Sequence, residues 1–377
     1  MDVQQAYALF NSSAFNHADW RLPDFDDLYG NYYYGEYNNL PVVPTAAKIV
    51  LTVIFVLIFL VCGFGNSLLC FTIFRLKRLR TVTNLFIASL AVSDALVAII
   101  CAPLTLYYYL EQNWIFGSIL CTIVGTVKVV SLNVSVNTLL VIAMERYYVI
   151  YHPLTPRLQK CAVVIIIVSI WVVSLLVSLP TPLYTVVSSG FDINGNLLQY
   201  CGEFWEHLHS AQAYIVFLCV FEYLIPMTIM TMAYVSIVRK VWFRHAPGES
   251  VALRTRQQQR DFRFNNNKKK TIRMLITVVI SFGICWGPYH AYNVTINFYQ
   301  DVLFFKKNNM TLFYIVEVIA MSNCILNTIV YFLMNETYRK ETMILIAYIP
   351  GFKRFVNGAN IMTMNTAQST FTIRPRM

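Results

Sequence analysis

Seven apolar stretches, each long enough to cross a lipid bilayer, run through the sequence at approximately 47–74, 83–110, 118–151, 160–182, 211–243, 266–299 and 309–335. A hydrocarbon core of about 30 Å calls for roughly 20 residues of helix. Strands of a β-barrel would alternate in polarity and would be shorter. With 57% of residues hydrophobic and 13% charged, the chain is also too apolar for an ordinary water-soluble domain. The expected fold is therefore all-α, a bundle of seven transmembrane helices.

Lysine and arginine give the expected orientation, because they are retained on the cytoplasmic side. Arg75, Lys77, Arg78 and Arg80 lie between the first two spans, Arg157 and Lys160 between the third and fourth, and a dense run from Arg239 to Arg273 between the fifth and sixth. Arg339, Lys340, Lys353 and Arg354 follow the seventh. The opposite face is acidic, so the N-terminus is expected outside. The net charge of +10 is then an orientation signal and not a nucleic-acid footprint. The segment "DFDDLYGNYYYGEY" at 24–37 belongs to an outer tail, 1–45, expected to be disordered. An acidic outer face favours a basic ligand. Asn11-Ser12-Ser13 is a glycosylation acceptor on the outer side; Asn133-Val134-Ser135 falls inside the bilayer and Asn335-Glu336-Thr337 on the inner side.

The nine cysteines sort by depth. Cys62, Cys70, Cys101, Cys161, Cys219, Cys285 and Cys324 fall within spans, where a thiol serves as a small apolar side chain. Cys121, at the outer end of span three, and Cys201, in the loop before span five, both face the oxidising side. A disulfide between them is the economical reading.

Ionisable groups inside a membrane are costly and mark functional sites. Asp94 in span two has no nearby base in sequence, and the polar residues available to face it are Asn66, Ser131, Ser135, Asn323 and Asn327. Two readings stand: an oxygen-lined site for a hard monovalent cation such as sodium, or a hydrogen-bonded structural network. Lys128 lies about two turns below Cys121, Glu317 at a similar depth in span seven, and Glu222 somewhat deeper in span five. Opposite charges near an outward opening suit a ligand pocket. Tyr108 and its neighbours Tyr107 and Tyr109 either join that pocket or form an interfacial belt. Trp286, Tyr289, His290 and Asn293 lie in span six beside Pro288, which removes a backbone hydrogen bond and is expected to kink the helix.

These residues resemble, in order, the motifs of the rhodopsin-like, class A G-protein-coupled receptors. They are "GFGN" with Asn66, "LAVSD" with Asp94, "WIFG" with Trp114, Cys121, "ERY" at Glu145, Arg146 and Tyr147, Trp171, Cys201, Pro226, Tyr234 and "CWGP" at 285–288. Two departures are visible. The acid–arginine–tyrosine triplet begins with glutamate, and in span seven "NTIVY" carries Thr328 where the family has proline, which puts the usual distortion of that span in question. Within the class the chain is similar to the prokineticin receptors. The similar segments are "NLFIASLAVSDALVAIICAP" at 84–103, "HPLTPR" at 152–157, "WFRHAPG" at 242–248 and "YIVEVIAMSNCILNT" at 314–328. Thr328 is shared with that branch.

The resemblance implies a receptor domain at 46–335, an amphipathic helix at 336–347 suited to the inner leaflet and a cytoplasmic tail at 348–377. It implies a plasma-membrane receptor for a secreted peptide, signalling through a heterotrimeric G protein of the Gq family, with arrestin and receptor kinases as further partners. Lys128, Glu222, Tyr289, His290, Asn293, Glu317 and Tyr108 are the expected ligand contacts. Glu145, Arg146, Tyr147, Tyr234, Trp286, Pro288, Asn327 and Tyr331 are the expected activation switch, and Asp94, Ser135, Asn323 and Asn327 match the family's sodium site. A seven-helix transporter is the alternative, though no internal repeat supports it. No nucleophile–base or metal constellation suggests an enzyme; His207 and His209 alone form a weak pair.

Overall fold

The computed structural model describes residues 45–156, 158–191, 196–242, 256–299 and 303–347. Asn11, the tail 1–44, Arg157, the inner loop 243–255 and the tail 348–377 lie outside the described residues. Seven helices have the length and apolarity to cross a membrane: Lys48–Arg75, Val82–Glu111, Gly117–Tyr151, Lys160–Tyr184, Leu208–Val241, Lys269–Phe298 and Leu312–Met334. At about 1.5 Å per residue each exceeds the lipid core. They are called spans one to seven below. Apolar side chains such as Ile165, Val168 and Val172 of span four point outward, as they do where the solvent is lipid.

The helix carrying span six begins at Arg256, well before the apolar run, because glutamine, arginine and lysine are good helix formers and extend it on the inner side. It continues as one element through Pro288 to Phe298. Three spans contain a π-helical segment, Ile58–Phe64, Val97–Cys101 and Cys219–Leu224. Such a segment inserts one extra residue into a turn and rotates everything beyond it.

Span two ends with Gln112 in the left-handed region (φ 54°). Beyond it Trp114, almost wholly buried, donates from its indole Nε1 to the carbonyl of Gly117 at 2.8 Å. Gly117 has φ 78°, a conformation glycine adopts without strain, which explains the last letter of "WIFG". Strands β1 (Thr185–Phe191) and β2 (Leu197–Glu203) form a two-stranded sheet. Their short link permits only antiparallel pairing. The chain divides into two compact units: Ser189–Gln199 falls in the smaller, and the larger, comprising Val43–Ser188 and Tyr200–Met377, contains the bundle. The expected Cys121–Cys201 disulfide is present and ties β2 to the top of span three.

One expectation fails. Cys62 and Cys324, read as free apolar thiols, are joined by a second disulfide that links span one to span seven, with Cα atoms 5.7 Å apart. Sequence places each cysteine in a helix but does not say which neighbour it faces. The remaining five cysteines are free.

Span seven is irregular at the single residue Ser322, between Leu303–Met321 and Asn323–Met334, though hydrogen bonds from Ser322 N to Val318 O (2.9 Å) and from Leu326 N to Ser322 O (3.2 Å) carry the helix across it. Thr328, in place of the family's proline, does not break the helix. Its hydroxyl donates to the Cys324 carbonyl at 2.9 Å and accepts from Asn66 Nδ2 at 3.0 Å. Helix eight, Glu336–Ala347, follows Asn335, whose side chain accepts from Tyr338 N at 3.0 Å as an N-cap. Glu341 on that helix pairs with Arg78, tying it to the loop after span one.

The core has an inner and an outer part. Leu139, Met230, Ile237, Val278, Phe282 and Tyr331 fill the inner one. Phe55, Tyr109, Tyr314 and Val318 form the outer cluster, with Tyr109 stacked on Tyr314 at 3.9 Å.

The contact of spans one and seven generates a prediction. A Cβ at Gly65 would stand 2.5 Å from Cγ2 of Thr328. Thr328 is β-branched and its hydroxyl is engaged twice, so it cannot swing aside. Gly65→Ala should cost about 1–3 kcal/mol, read as a lower melting temperature of the purified protein. Adding Thr328→Ser, which removes the methyl group, should restore most of the loss; equal melting temperatures for all three proteins would contradict the close approach.

Candidate functional site

The polar groups inside the bundle gather at three depths. In the outer half Lys128 of span three pairs with Glu317 of span seven. Glu317 is buried and Lys128 half-buried, and an amine withdrawn from water keeps its charge only where a counter-charge offsets its lost hydration. Glu222 does not join them. It sits in the π-helical segment of span five and accepts from Asn133 Nδ2 of span three. Each acid keeps one oxygen without a hydrogen-bond partner, as do the indole nitrogen of Trp286 and Nε2 of His290.

Aromatic rings wall this region. Tyr223 stacks on His290 at 5.1 Å, Tyr289 meets His290 edge-on at 5.8 Å, and Trp286 meets Tyr289 edge-on at 5.6 Å. Trp286 also approaches Phe282 of the inner core at 6.1 Å, so the aromatic cluster and the core share a contact. Asn293 donates to the Tyr289 carbonyl at 3.0 Å and so spends an amide hydrogen on its own helix. Tyr108 packs edge-on against Trp114 at 5.7 Å, under the outer loop. Above, Glu203 at the end of β2 accepts from Trp205 Nε1 at 3.1 Å. Burial pushes its carboxyl above the usual carboxylate range, with the Thr181 and Trp205 hydrogen bonds pulling the other way.

Midway down, Asp94 accepts from Asn327 Nδ2 at 3.1 Å. Ser135 and Ser93 share a hydrogen bond of 3.2 Å, and Ser131 donates to the Ser93 carbonyl at 3.1 Å. The amide oxygens of Asn66, Asn323 and Asn327 are buried without partners. This all-oxygen donor set fits a hard cation, which takes carboxylate, carbonyl and hydroxyl ligands.

At the inner end Glu145 Oε2 lies 2.7 Å from Arg146 Nε. Arg146 also donates from Nη2 to the hydroxyl of Thr83 on span two. Tyr147 stacks on Tyr151 at 4.4 Å, and Tyr151 donates to the Ser236 carbonyl at 3.1 Å and carries Lys240 over its ring at 4.1 Å. Tyr234 and Tyr331 are both buried in the inner core.

The structure thus brings together Lys128 and Glu317, Asp94 and Asn327, and Glu145 and Arg146. It keeps Glu222 apart from Lys128 and sets Tyr108 beside Trp114. Sequence reading missed Asn133, Tyr223, Glu203 and Thr83. An amide inside a span was the available signal for Asn133, but that residue drew notice only as part of an unusable glycosylation triplet. Among the described residues no three His, Cys, Asp or Glu side chains gather as metal ligands, so His207 and His209 gain no third partner.

Comparison with known proteins agrees with this architecture. Residues 65–331 match the 7 transmembrane receptor (rhodopsin family). Prokineticin receptor 2 of Bos taurus is 36% identical over 312 residues, covering 81% of this chain and 79% of that protein. Prokineticin receptor 1 of Homo sapiens is 37% identical over 308 residues, covering 80% and 76%. Prokineticin receptor 2 of Mus musculus is 35% identical over 336 residues, 85% of each. With seven spans, their polar ties and this match in hand, the chain belongs to the rhodopsin family of seven-transmembrane, G-protein-coupled receptors and is similar to the prokineticin receptors.

Proposed function

We propose that this receptor is switched on by a secreted peptide, prokineticin-like or another neuropeptide, and passes the signal to a Gq-family G protein with release of calcium. The observation that carries this reading is the outer polar cluster. Lys128–Glu317 crosses the bundle and Asn133–Glu222 crosses it more than a helical turn deeper, and the unpartnered polar atoms of Glu222, Glu317, Trp286 and His290 offer a peptide both acceptors and donors. Glu222 and Glu317 suit a basic group on the ligand, and Tyr289, His290 and Asn293 of span six flank them, with Tyr108 supporting the wall.

A peptide bound there acts only by binding the active state more tightly than the resting one. Trp286 touches both the pocket and Phe282, so a shift above is felt in the inner core, and Pro288 beside it gives span six a point at which to bend. In the resting state Arg146 is held by Glu145 and Thr83. Released toward Tyr234 and Tyr331, with Tyr147 turning beside it, it meets the G protein. A sodium ion at Asp94, Ser135, Asn323 and Asn327 would favour the resting arrangement. The basic inner loops put the N-terminus outside and the C-terminus in the cytoplasm, where arrestin and receptor kinases act and helix eight rests on lipid. Asn11 is then glycosylated.

Cells expressing this chain and challenged with a panel of secreted peptides, including cysteine-rich prokineticin-like ones, should show a calcium rise to one of them; silence across the panel, with the receptor at the surface, would count against both ligand class and G protein. Lys128→Met leaves Glu317 buried without its counter-charge, a loss of about 3–5 kcal/mol. Surface expression should therefore fall. Lys128→Met with Glu317→Gln should recover expression while the peptide response stays at least tenfold weaker, and a normal response from that double variant would remove the pair from the ligand site. Glu145→Gln should raise signalling without peptide, and Arg146→Ala should suppress coupling while leaving peptide binding largely intact. The opposite pattern in nucleotide-exchange and binding assays would refute the latch.

A further inference from the structure

Spans one and seven meet through two matched contacts. Cys62 and Asn66 stand one helical turn apart on span one, and Cys324 and Thr328 stand one turn apart on span seven. Cys62 bonds Cys324, and Asn66 donates to Thr328. Gly65 lets the helices close at the same level, where any Cβ would strike the Thr328 methyl. Both contacts land on Asn323–Met334, the segment beyond the Ser322 interruption, which also carries Asn323, Asn327 and Tyr331. Glu317 lies on the other side of that interruption.

We propose that the Cys62–Cys324 bond is a covalent modification of this receptor and that it clamps the inner segment of span seven to span one in the resting position. The cysteines have the Cα separation that disulfides favour. They lie in an apolar cluster with Phe55, Ile58, Ala98, Val318 and Met321, which shields the bond from water-borne reductants. Closure precedes the packing of that cluster over the two thiols. The two thiols lose two protons and two electrons to form the S–S bond, and a carrier disulfide of a thiol–disulfide oxidoreductase takes them up to become two thiols.

The interruption at Ser322 gives the clamp its consequence. A peptide acting on Glu317 moves the outer segment, while the inner segment follows only as far as span one allows. The bond therefore raises the cost of leaving the resting state, and the hydrogen bond one turn further in adds to it. The effect on signalling rests on the receptor reading given above; the bond itself does not.

The test has two arms. Purified receptor is denatured without reductant, alkylated with N-ethylmaleimide, digested and analysed by mass spectrometry. A peptide containing Cys62 joined to one containing Cys324 is expected, with both cysteines alkylated only after reduction; if both carry maleimide beforehand, the proposal is overturned whatever the receptor does. In the second arm Cys62→Ala with Cys324→Ala should raise peptide-independent nucleotide exchange on the G protein about fivefold, the lower end of couplings between sites. Thr328→Val, which keeps the bulk and removes the hydroxyl, should raise it in the same direction and serves if the cysteine variant does not reach the surface. Unchanged basal exchange in the surface-expressed variants overturns the clamp even where the bond is found.

Discussion

Inside a lipid slab a charge, an amide or a hydroxyl has no water to turn to, and its partner has to come from the protein. Apolar side chains do little to hold helices together there, because lipid tails are as apolar as they are. The bundle answers with polar ties at successive depths. Lys128–Glu317 and Asn133–Glu222 cross its outer half, Asp94–Asn327 and Ser93–Ser135 its middle, and Arg146 with Glu145 and Thr83 its inner end. Trp171 adds a tie from span four to Ser89 at 3.1 Å. Each costs too much to leave unmade, so together they set which faces of the helices meet.

That dependence explains what the sequence could and could not reveal. The spans were legible because the bilayer sets their length, and helix eight because an amphipathic stretch follows span seven where the resemblance calls for one. The Cys121–Cys201 bond was legible because the charge pattern put both thiols on the side expected to be oxidising. The Cys62–Cys324 bond was not, since compartment says nothing about two cysteines within the membrane, and only the rotation of spans one and seven decides whether they face each other. Rotation is what the π-helical segments alter. Cys62 lies within Ile58–Phe64 and Glu222 within Cys219–Leu224, so counting 3.6 residues per turn misdirects both side chains. Glu222 meets Asn133 and not Lys128.

Thr328 shows how a departure from a family pattern is absorbed. A proline there would remove a backbone hydrogen bond. Threonine instead spends its hydroxyl on the Cys324 carbonyl one turn back and on Asn66 across the interface. The irregularity of span seven is moved to Ser322, whose own hydroxyl donates to Val318 O at 2.8 Å. The sequence displayed the substitution plainly but not its compensation, which needs span one to supply both Asn66 and the space above Gly65.

The interruption divides the work of span seven. Outside it, Glu317 belongs to a charge pair whose partner lies on span three, and any ligand that competes for either member changes the energy of that half. Inside it, Asn327 holds Asp94 and Tyr331 lies in the inner core with Tyr234. On the proposed reading a ligand reaches only the first half, whereas a G protein meets the second. The coupling between them therefore depends on how rigidly the two halves are joined, and a serine junction between a charge pair and an anchored segment makes that stiffness a property of a few side chains. Span one, which carries no acidic or basic side chain between Lys48 and Arg75, enters the proposed mechanism through what it holds in place and not through what it binds.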